Sequence, residues 1–295
     1  LITDHRTTEL ARIVSDKLSC PPKEPQYVKI AQRKDRARLS LKKSNVKIPI
    51  FDLLTTTKSL SEQTIQIDFP AVIKPVALSA SRGVIRVNNE LELQQAVERI
   101  KNMLIEERQI DQAIRDILLL EEFIPGKEVA VEGMLHNGEL DVLAIFDKPD
   151  PLDGPFFEET YYITPTSFSK QTQQEIKKTI LDSCKSYVLT EGPIHAECRI
   201  NEKGVWILEV AARTIGGMCG RLLSLGTGHT LEELVLLHAM GQRVEINTLD
   251  SAAGVLMIPI PSAGILKRVE GLLEAQRIDY FSELSIEVSD GYEIV

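Results

Sequence analysis

The chain has 295 residues, 43% hydrophobic and 26% charged, the make-up of a soluble globular protein with two or three packed subdomains. A net charge of −9 supplies no basic field for phosphate backbones or anionic lipid, so nucleic-acid and membrane partners are excluded and any small anion must be held by a few local cations. No apolar run approaches the ~18 residues of a membrane span, no signal peptide is visible, and Cys20, Cys184, Cys198 and Cys219 lack paired metal-ligand spacing, which fits a reduced, cytosolic setting.

The first predicted element is a helix running from Thr8 to Leu18 and stopped by Pro21-Pro22. A second helix carries Ile30, Ala31, Ala37 and Leu41 on one side and a basic cluster that includes Lys34 and Arg38. It ends before Ile48-Pro49-Ile50-Phe51. Phe69–Val76 reads as a buried strand containing one lysine, Lys74. A loop of small residues follows, Ser79-Ala80-Ser81-Arg82-Gly83, and then a strand over Val84–Val87. A lysine before such a loop and an arginine in it can cradle phosphates, although a plain surface hairpin explains the same residues.

Asn89 caps the next helix, whose stripe is Leu93, Ala96, Val97, Ile100 and Leu104. A helix-prone stretch, Glu106–Arg115, leads to the apolar run Ile117–Leu120 and to Glu121-Glu122-Phe123-Ile124. Val129–Leu135 alternates as a strand, and His136-Asn137-Gly138-Glu139 turns into Leu140–Phe146. Lys148–Thr166, with four prolines and four aromatics, is predicted to be one long irregular loop. Ile176, Ile180, Cys184 and Tyr187 stripe a helix.

The hairpin at 192–213 organises the rest. Strands Ile194–Ile200 and Val205–Ala212 flank a predicted three-residue turn, Glu202-Lys203-Gly204. That turn makes facing positions sum to 406. It places Ala196, Cys198, Ile200, Trp206, Leu208, Val210 and Ala212 on an apolar face, and His195, Glu197, Arg199, Glu209 and Arg213, with Val205, Ile207 and Ala211, on the other. Glu197 then opposes Glu209. Like charges directly opposed are destabilising, so the pair calls for a divalent cation, a shared proton or a basic neighbour. Two carboxylates with Arg213 beyond them describe a metal–phosphate site. A solvated polar face neutralised by Arg199 and Arg213 is the plain alternative.

After Arg213, Gly216-Gly217 and Gly220 read as a flexible turn, and Thr230 with Glu233 caps a helix over Leu231–Met240 closed by Gly241. From Ser251 onward short strands are expected, Gly254–Ile258 and Ser285–Val288, forming a small β-rich piece.

In this order the motifs resemble the ATP-grasp superfamily, over nearly the whole chain, and within it most closely the L-amino acid ligase branch of carboxylate–amine ligases. The resemblance implies that Lys34 reaches the nucleotide and that Lys74 binds the α/β-phosphates. Ser79, Ser81, Arg82 and Gly83, with Ala80 where a glycine is usual, would form the lid loop. Glu121, Glu122, Phe123 and Ile124 would be the hinge whose backbone holds adenine, and Glu128 the acid on the ribose. Glu197 and Glu209 match the metal-binding acids and Arg213 the active-site arginine. Ala211 stands where most members carry asparagine; some amino-acid ligase branches share the Ala-Ala-Arg sequence. His195, opposite Ala211, either fills part of the asparagine's place as a neutral ring near the cation or is satisfied by backbone or by Glu197.

The implied fold is α+β, two lobes clasping ATP, divided as 1–48 (the end of a preceding α/β domain), 49–125 (lid), 126–250 (lobe with the metal site) and 251–295 (C-terminal subdomain). The resemblance also implies that most of a βαβ domain precedes Leu1 and that chain continues past Val295. The expected reaction joins a small-molecule carboxylate to an amine with ATP and Mg2+ (or Mn2+), through an acyl phosphate, in an enzyme that could act as a homodimer. The long loop and Gly216-Gly217 are expected to form the substrate rim. A carboxylase acting on bicarbonate and a non-catalytic nucleotide-binding module remain as alternatives.

Overall fold

The computed structural model describes residues 5–18, 25–244, 246, 252–260 and 262–294. Cys20, Pro21-Pro22, Ser251 and Pro261 fall outside these residues. The chain divides into two compact units, 1–256 and 257–295. No described helix is long and apolar enough to cross a membrane.

The first unit opens with helices α1 (His5–Lys17), α2 (Pro25–Ala31) and α3 (Lys34–Leu41). The single second helix expected from sequence is two helices, interrupted at Gln32-Arg33. Its stripe survives the break, because Val28, Ala31, Ala37 and Leu41 all enter one core.

Next comes a four-stranded antiparallel sheet in the order β1-β4-β2-β3, built from β1 (Phe51–Thr55), β2 (Ala71–Pro75), β3 (Ile85–Val87) and β4 (Ile117–Glu122). Helix α4 (Glu90–Glu106) covers it, and the short α5 (Gln112–Arg115) leads into β4. The α4 cap forms as its sequence dictates, Asn89 Oδ1 accepting from the Glu92 amide at 3.0 Å. Its stripe Leu93, Ala96, Ile100 and Leu104 buries against Ile73, Leu118 and Leu120. Each such side chain contributes roughly 1.5–3 kcal/mol on burial.

A six-stranded antiparallel sheet follows in the order β10-β7-β6-β5-β8-β9. Its strands are β5 (Lys127–His136), β6 (Glu139–Lys148), β7 (Tyr161–Thr164), β8 (Gly192–Asn201), β9 (Gly204–Ala211) and β10 (Ala253–Leu256). Helix α6 (Lys170–Ser186) packs Ile176, Ile180 and Cys184 beneath it, and α7 (Cys219–Thr227) and α8 (Leu231–Ala239) follow β9. Three expectations are corrected here. The stretch 148–166 is not one loop, because Tyr161–Thr164 pairs with β10 and touches β6. Gly220 belongs to α7, not to a flexible turn. Strand β10, placed by sequence in a separate C-terminal piece, completes the large sheet.

The β8–β9 hairpin is also corrected. Its turn is the two residues Glu202-Lys203, with Asn201 opposite Gly204, and a bulge leaves Leu208 unpaired between Cys198↔Ile207 and Glu197↔Glu209. The short turn and the extra residue cancel, so Glu197↔Glu209 and His195↔Ala211 stand as expected. Between bulge and turn the faces exchange: Val205 and Ile207 are core, while Trp206 and Leu208 are not. Gly204 takes φ 110°, a backbone strained for any other residue, and a Cβ there would also push aside the ends of Lys47 and Glu175, 2.7 Å from Nζ and 2.8 Å from Oε1.

The second unit holds β11 (Gly264–Ile265), α9 (Leu272–Ala275) and β12 (Glu293–Ile294), with β11 and β12 antiparallel. The strand expected over Ser285–Val288 does not form. The pairing goes to the chain's last residues instead.

Candidate active site

Strand β8 brings His195, Glu197 and Arg199 to one face, and β9 brings Glu209 opposite Glu197. Two lysines flank the acids. Lys34, at the start of α3, lies 3.2 Å from Glu209 Oε2 and donates to the Leu78 carbonyl at 2.7 Å. Lys148, the last residue of β6, lies 3.4 Å from Glu197 Oε1 and 2.8 Å from Glu128 Oε1, and also pairs with Glu159. The sequence placed Lys148 at the head of a substrate loop; it is buried. Burial alone would lower its pKa, but Glu197, Glu128 and Glu159 outweigh burial and hold it well above the ordinary lysine value. Burial would likewise raise Glu197, yet Lys148 and His195 hold it well below the usual carboxylate range.

His195 stands between two acids, Nδ1 3.5 Å from Glu132 Oε2 and Nε2 3.7 Å from Glu197 Oε1. Burial opposes its charge, but the two carboxylates outweigh burial and raise it to about 9. The two carboxylates favour the charged ring over the neutral imidazole considered from sequence. Glu132 is fully buried, accepts from the Ile215 amide at 3.0 Å, and is raised by desolvation against the pull of His195.

Glu128 is held from both sides, Oε1 by Lys148 and Oε2 by Arg199 Nε at 2.8 Å. Arg199 also donates to the Ile124 carbonyl at 2.7 Å and to that of Leu152. Its guanidinium faces Phe123 at 5.0 Å and Phe157 at 5.7 Å. At the β4–β5 link, the Glu122 and Phe123 amides donate to the carbonyls of Ile50 and Pro70.

Lys74 and Glu121 form a buried pair at 2.5 Å, completed by Arg38, which bonds Glu121 Oε1 and the Leu208 carbonyl at 2.6 Å. Desolvation lowers Lys74 more than Glu121 restores it. The Glu121 side chain is therefore a counter-ion inside the wall. In the loop after β2, Ala80 and Ser81 take φ values of 56° and 52°, a conformation glycine adopts freely. Gly83, at φ 72°, is favoured by that left-handed backbone, and a Cβ there would push aside the tip of Met103, 2.6 Å away. Arg82 turns outward to Glu107, just past the end of α4, at 2.6 Å. Arg213 donates to the Thr214 carbonyl at 2.8 Å, next to the Ile215 amide that holds Glu132.

The segment before β7 is tied to β3. The Arg86 amide donates to the Pro155 carbonyl at 2.9 Å, and Arg86 Nη1 to that of Asp153 at 2.7 Å. Arg86 lies over Phe123 at 4.2 Å, and Arg99 over Phe156 at 4.9 Å. The segment straps β3 to the β4–β5 link.

The structure thus sets Glu128, Glu159 and Glu197 around Lys148, His195 beside Glu197, and Lys34 beside Glu209 opposite Glu197, and it pairs Lys74 with Glu121; Arg82 is directed to Glu107. Sequence reasoning missed Glu132, Lys148, Glu159, the pairing role of Arg38 and the Arg199–Glu128 pair. One signal was available. Pairing β5 against β8 sets Glu128 opposite Arg199 and Glu132 opposite His195, an across-strand charge match.

Comparison with known proteins adds the following. The profile of the ATP-grasp domain matches residues 67–221. The crystal structure of an L-amino acid ligase from Bacillus licheniformis superposes with a TM-score of 0.84 at 25% identity, over 99% of this chain and 71% of that one. Dapdiamide A synthase of Enterobacter agglomerans is 25% identical over 55% of this chain and 37% of its own. A D-alanine–D-alanine ligase of Prochlorococcus marinus is 26% identical over 48% of this chain and 41% of its own. The matches to these two curated relatives span less than half of their length.

Proposed function

We propose, on the ground that the chain belongs to the ATP-grasp family, that it uses ATP to join a small-molecule carboxylate to an amine by way of an acyl phosphate. The observation that carries this reading is the opposed pair Glu197 and Glu209, flanked by Lys34 and Lys148. The pair offers oxygen donors only, the set that suits Mg2+, so these two acids are the ones to hold it. Held by Glu197 and Glu209, Mg2+ would supply positive charge against the charge developing on the transferred phosphoryl group. Similarity to an L-amino acid ligase, a dapdiamide synthase and a D-alanine–D-alanine ligase supports amino acids on both sides of the new bond.

The residues divide the work. Lys74, Lys34 and the amides of Ser79–Gly83 bind the phosphates, and Arg82 joins them only by leaving Glu107. The Ile124 amide, which makes no backbone bond among the described residues, meets the adenine edge. Glu128, clamped by Lys148 and Arg199, still has lone pairs for a ribose hydroxyl. The substrate carboxylate oxygen attacks the γ-phosphorus and ADP leaves. The amine then attacks the acyl carbon and gives up a proton, and inorganic phosphate leaves with one former oxygen of the substrate carboxylate. Arg213 donates its forked N–H groups to the acyl phosphate and to the oxyanion that follows.

Arg213→Lys keeps the charge and loses the fork. Titration calorimetry should find ATP affinity nearly unchanged, while ADP release with amino-acid pairs falls about a hundredfold. Unaltered turnover would remove Arg213 from the reaction.

A further inference from the structure

We propose that His136, His238 and Glu191 form a binding site for a borderline divalent metal ion of the zinc class, distinct from the Glu197–Glu209 pair. The three come from separate elements. His136 ends β5, Glu191 immediately precedes β8, and His238 lies in the last turn of α8. Glu191 is six residues from Glu197, roughly 20 Å along an extended strand.

One ligand atom from each residue lies within 4.8 Å of the others. The two Nδ1 atoms are 3.1 Å apart, and the rings meet edge to face with centroids at 4.5 Å. Tetrahedral zinc, with nitrogens at about 2.0–2.1 Å, separates two ligating nitrogens by about 3.3 Å. The imidazoles are therefore already near the spacing an ion between them requires. Glu191 Oε2 is 3.4 Å from His238 Nε2, and its Oε1 is fixed by the Asn137 amide at 2.8 Å. To join the two Nδ1 atoms the carboxylate must swing from the Nε2 side of the His238 ring, a side-chain rotation open to a half-buried glutamate.

The surroundings also fit. A metal-ligating histidine usually directs its other ring nitrogen to a carboxylate. His136 Nε2 faces Asp141 Oδ2 at 3.8 Å, and Asp141 is itself held by Arg243 at 2.7 and 2.8 Å. His238 is buried while His136 and Glu191 are only half-buried, which leaves an approach for the ion and a water ligand. Two imidazoles and one carboxylate select zinc-class ions over Mg2+, the reverse of the all-oxygen Glu197–Glu209 pair. Bound there, the ion pins α8 to the end of β5 and to the link before β8. The competing arrangement is a hydrogen-bonded chain, His136 Nδ1–H to His238 Nδ1 and His238 Nε2–H to Glu191.

The test is zinc chloride titrated against a chromogenic chelator in excess magnesium chloride, on chelator-stripped protein. One equivalent should bind, raise the thermal midpoint, and be lost in His136→Gln and in His238→Gln. Glu191→Gln should weaken binding by at least about tenfold, and Glu209→Gln should leave it in place. X-ray absorption of the zinc-loaded wild type needs no variant and should find two imidazoles on the metal. Failure of zinc to bind, equal binding by the histidine variants, or a coordination shell without imidazole would each overturn the proposal.

Discussion

Lys74 and Glu121 lie 2.5 Å apart in a pair almost closed to water. A lone lysine in an apolar strand was visible in the sequence; its counter-ion was not, because Glu121 lies near the end of β4 and is paired with Lys74 only through contact with the neighbouring strand. The ammonium is desolvated before any phosphate arrives, so a charge-assisted bond there is strong. Lys74→Ala should weaken ATP binding by at least about tenfold, with adenosine affinity changed far less, in paired calorimetric titrations. Equal weakening of both would reduce Lys74 to a structural ion. At the opposed acids, Glu209→Gln should cut magnesium-dependent ATP turnover by at least about a hundredfold with the fold kept. Normal turnover would take the cation away from this pair.

At the scale of elements, the site depends on a bulge that periodicity cannot reveal. Strict alternation over Val205–Ala212 gave the right partner for Glu209 and the wrong faces for Val205, Trp206, Ile207 and Leu208. The inserted Leu208 turns its carbonyl to Arg38, which ties α3 to β9 and, through Glu121, to β4 and β2. Glu121→Gln leaves two buried cations without their anion and should cost about 3–5 kcal/mol in urea unfolding. The pH dependence has a definite sign. Burial alone would raise Glu121, but Arg38 and Lys74 hold it below its ordinary value. Its contribution is therefore complete above the unfolded carboxylate value of about 4.3 and is lost as pH falls through the lower folded one. The advantage of wild type over Glu121→Gln should shrink on acidification below about pH 4. A gap that does not change down to that range would show that Glu121 does not carry the ion pair.

For the whole molecule, the mix of helices and antiparallel sheets was legible because caps and apolar stripes are local signals. Asn89 with Glu92, Thr230 with Glu233 and the stripe of α6 all formed where their residues indicated. The strap over 149–160 and the partnership of β7 with β10 were not, since both depend on contacts between distant segments whose prolines and aromatics read locally as loop. The carboxylate–amine ligation is tested most directly by supplying heavy-oxygen-labelled amino-acid carboxylates with ATP, Mg2+ and an amine partner. The label is then followed by mass spectrometry. Transfer through an acyl phosphate predicts one heavy oxygen in the inorganic phosphate for each amide bond formed. Amide formed with unlabelled phosphate, or with the label in AMP, would contradict it.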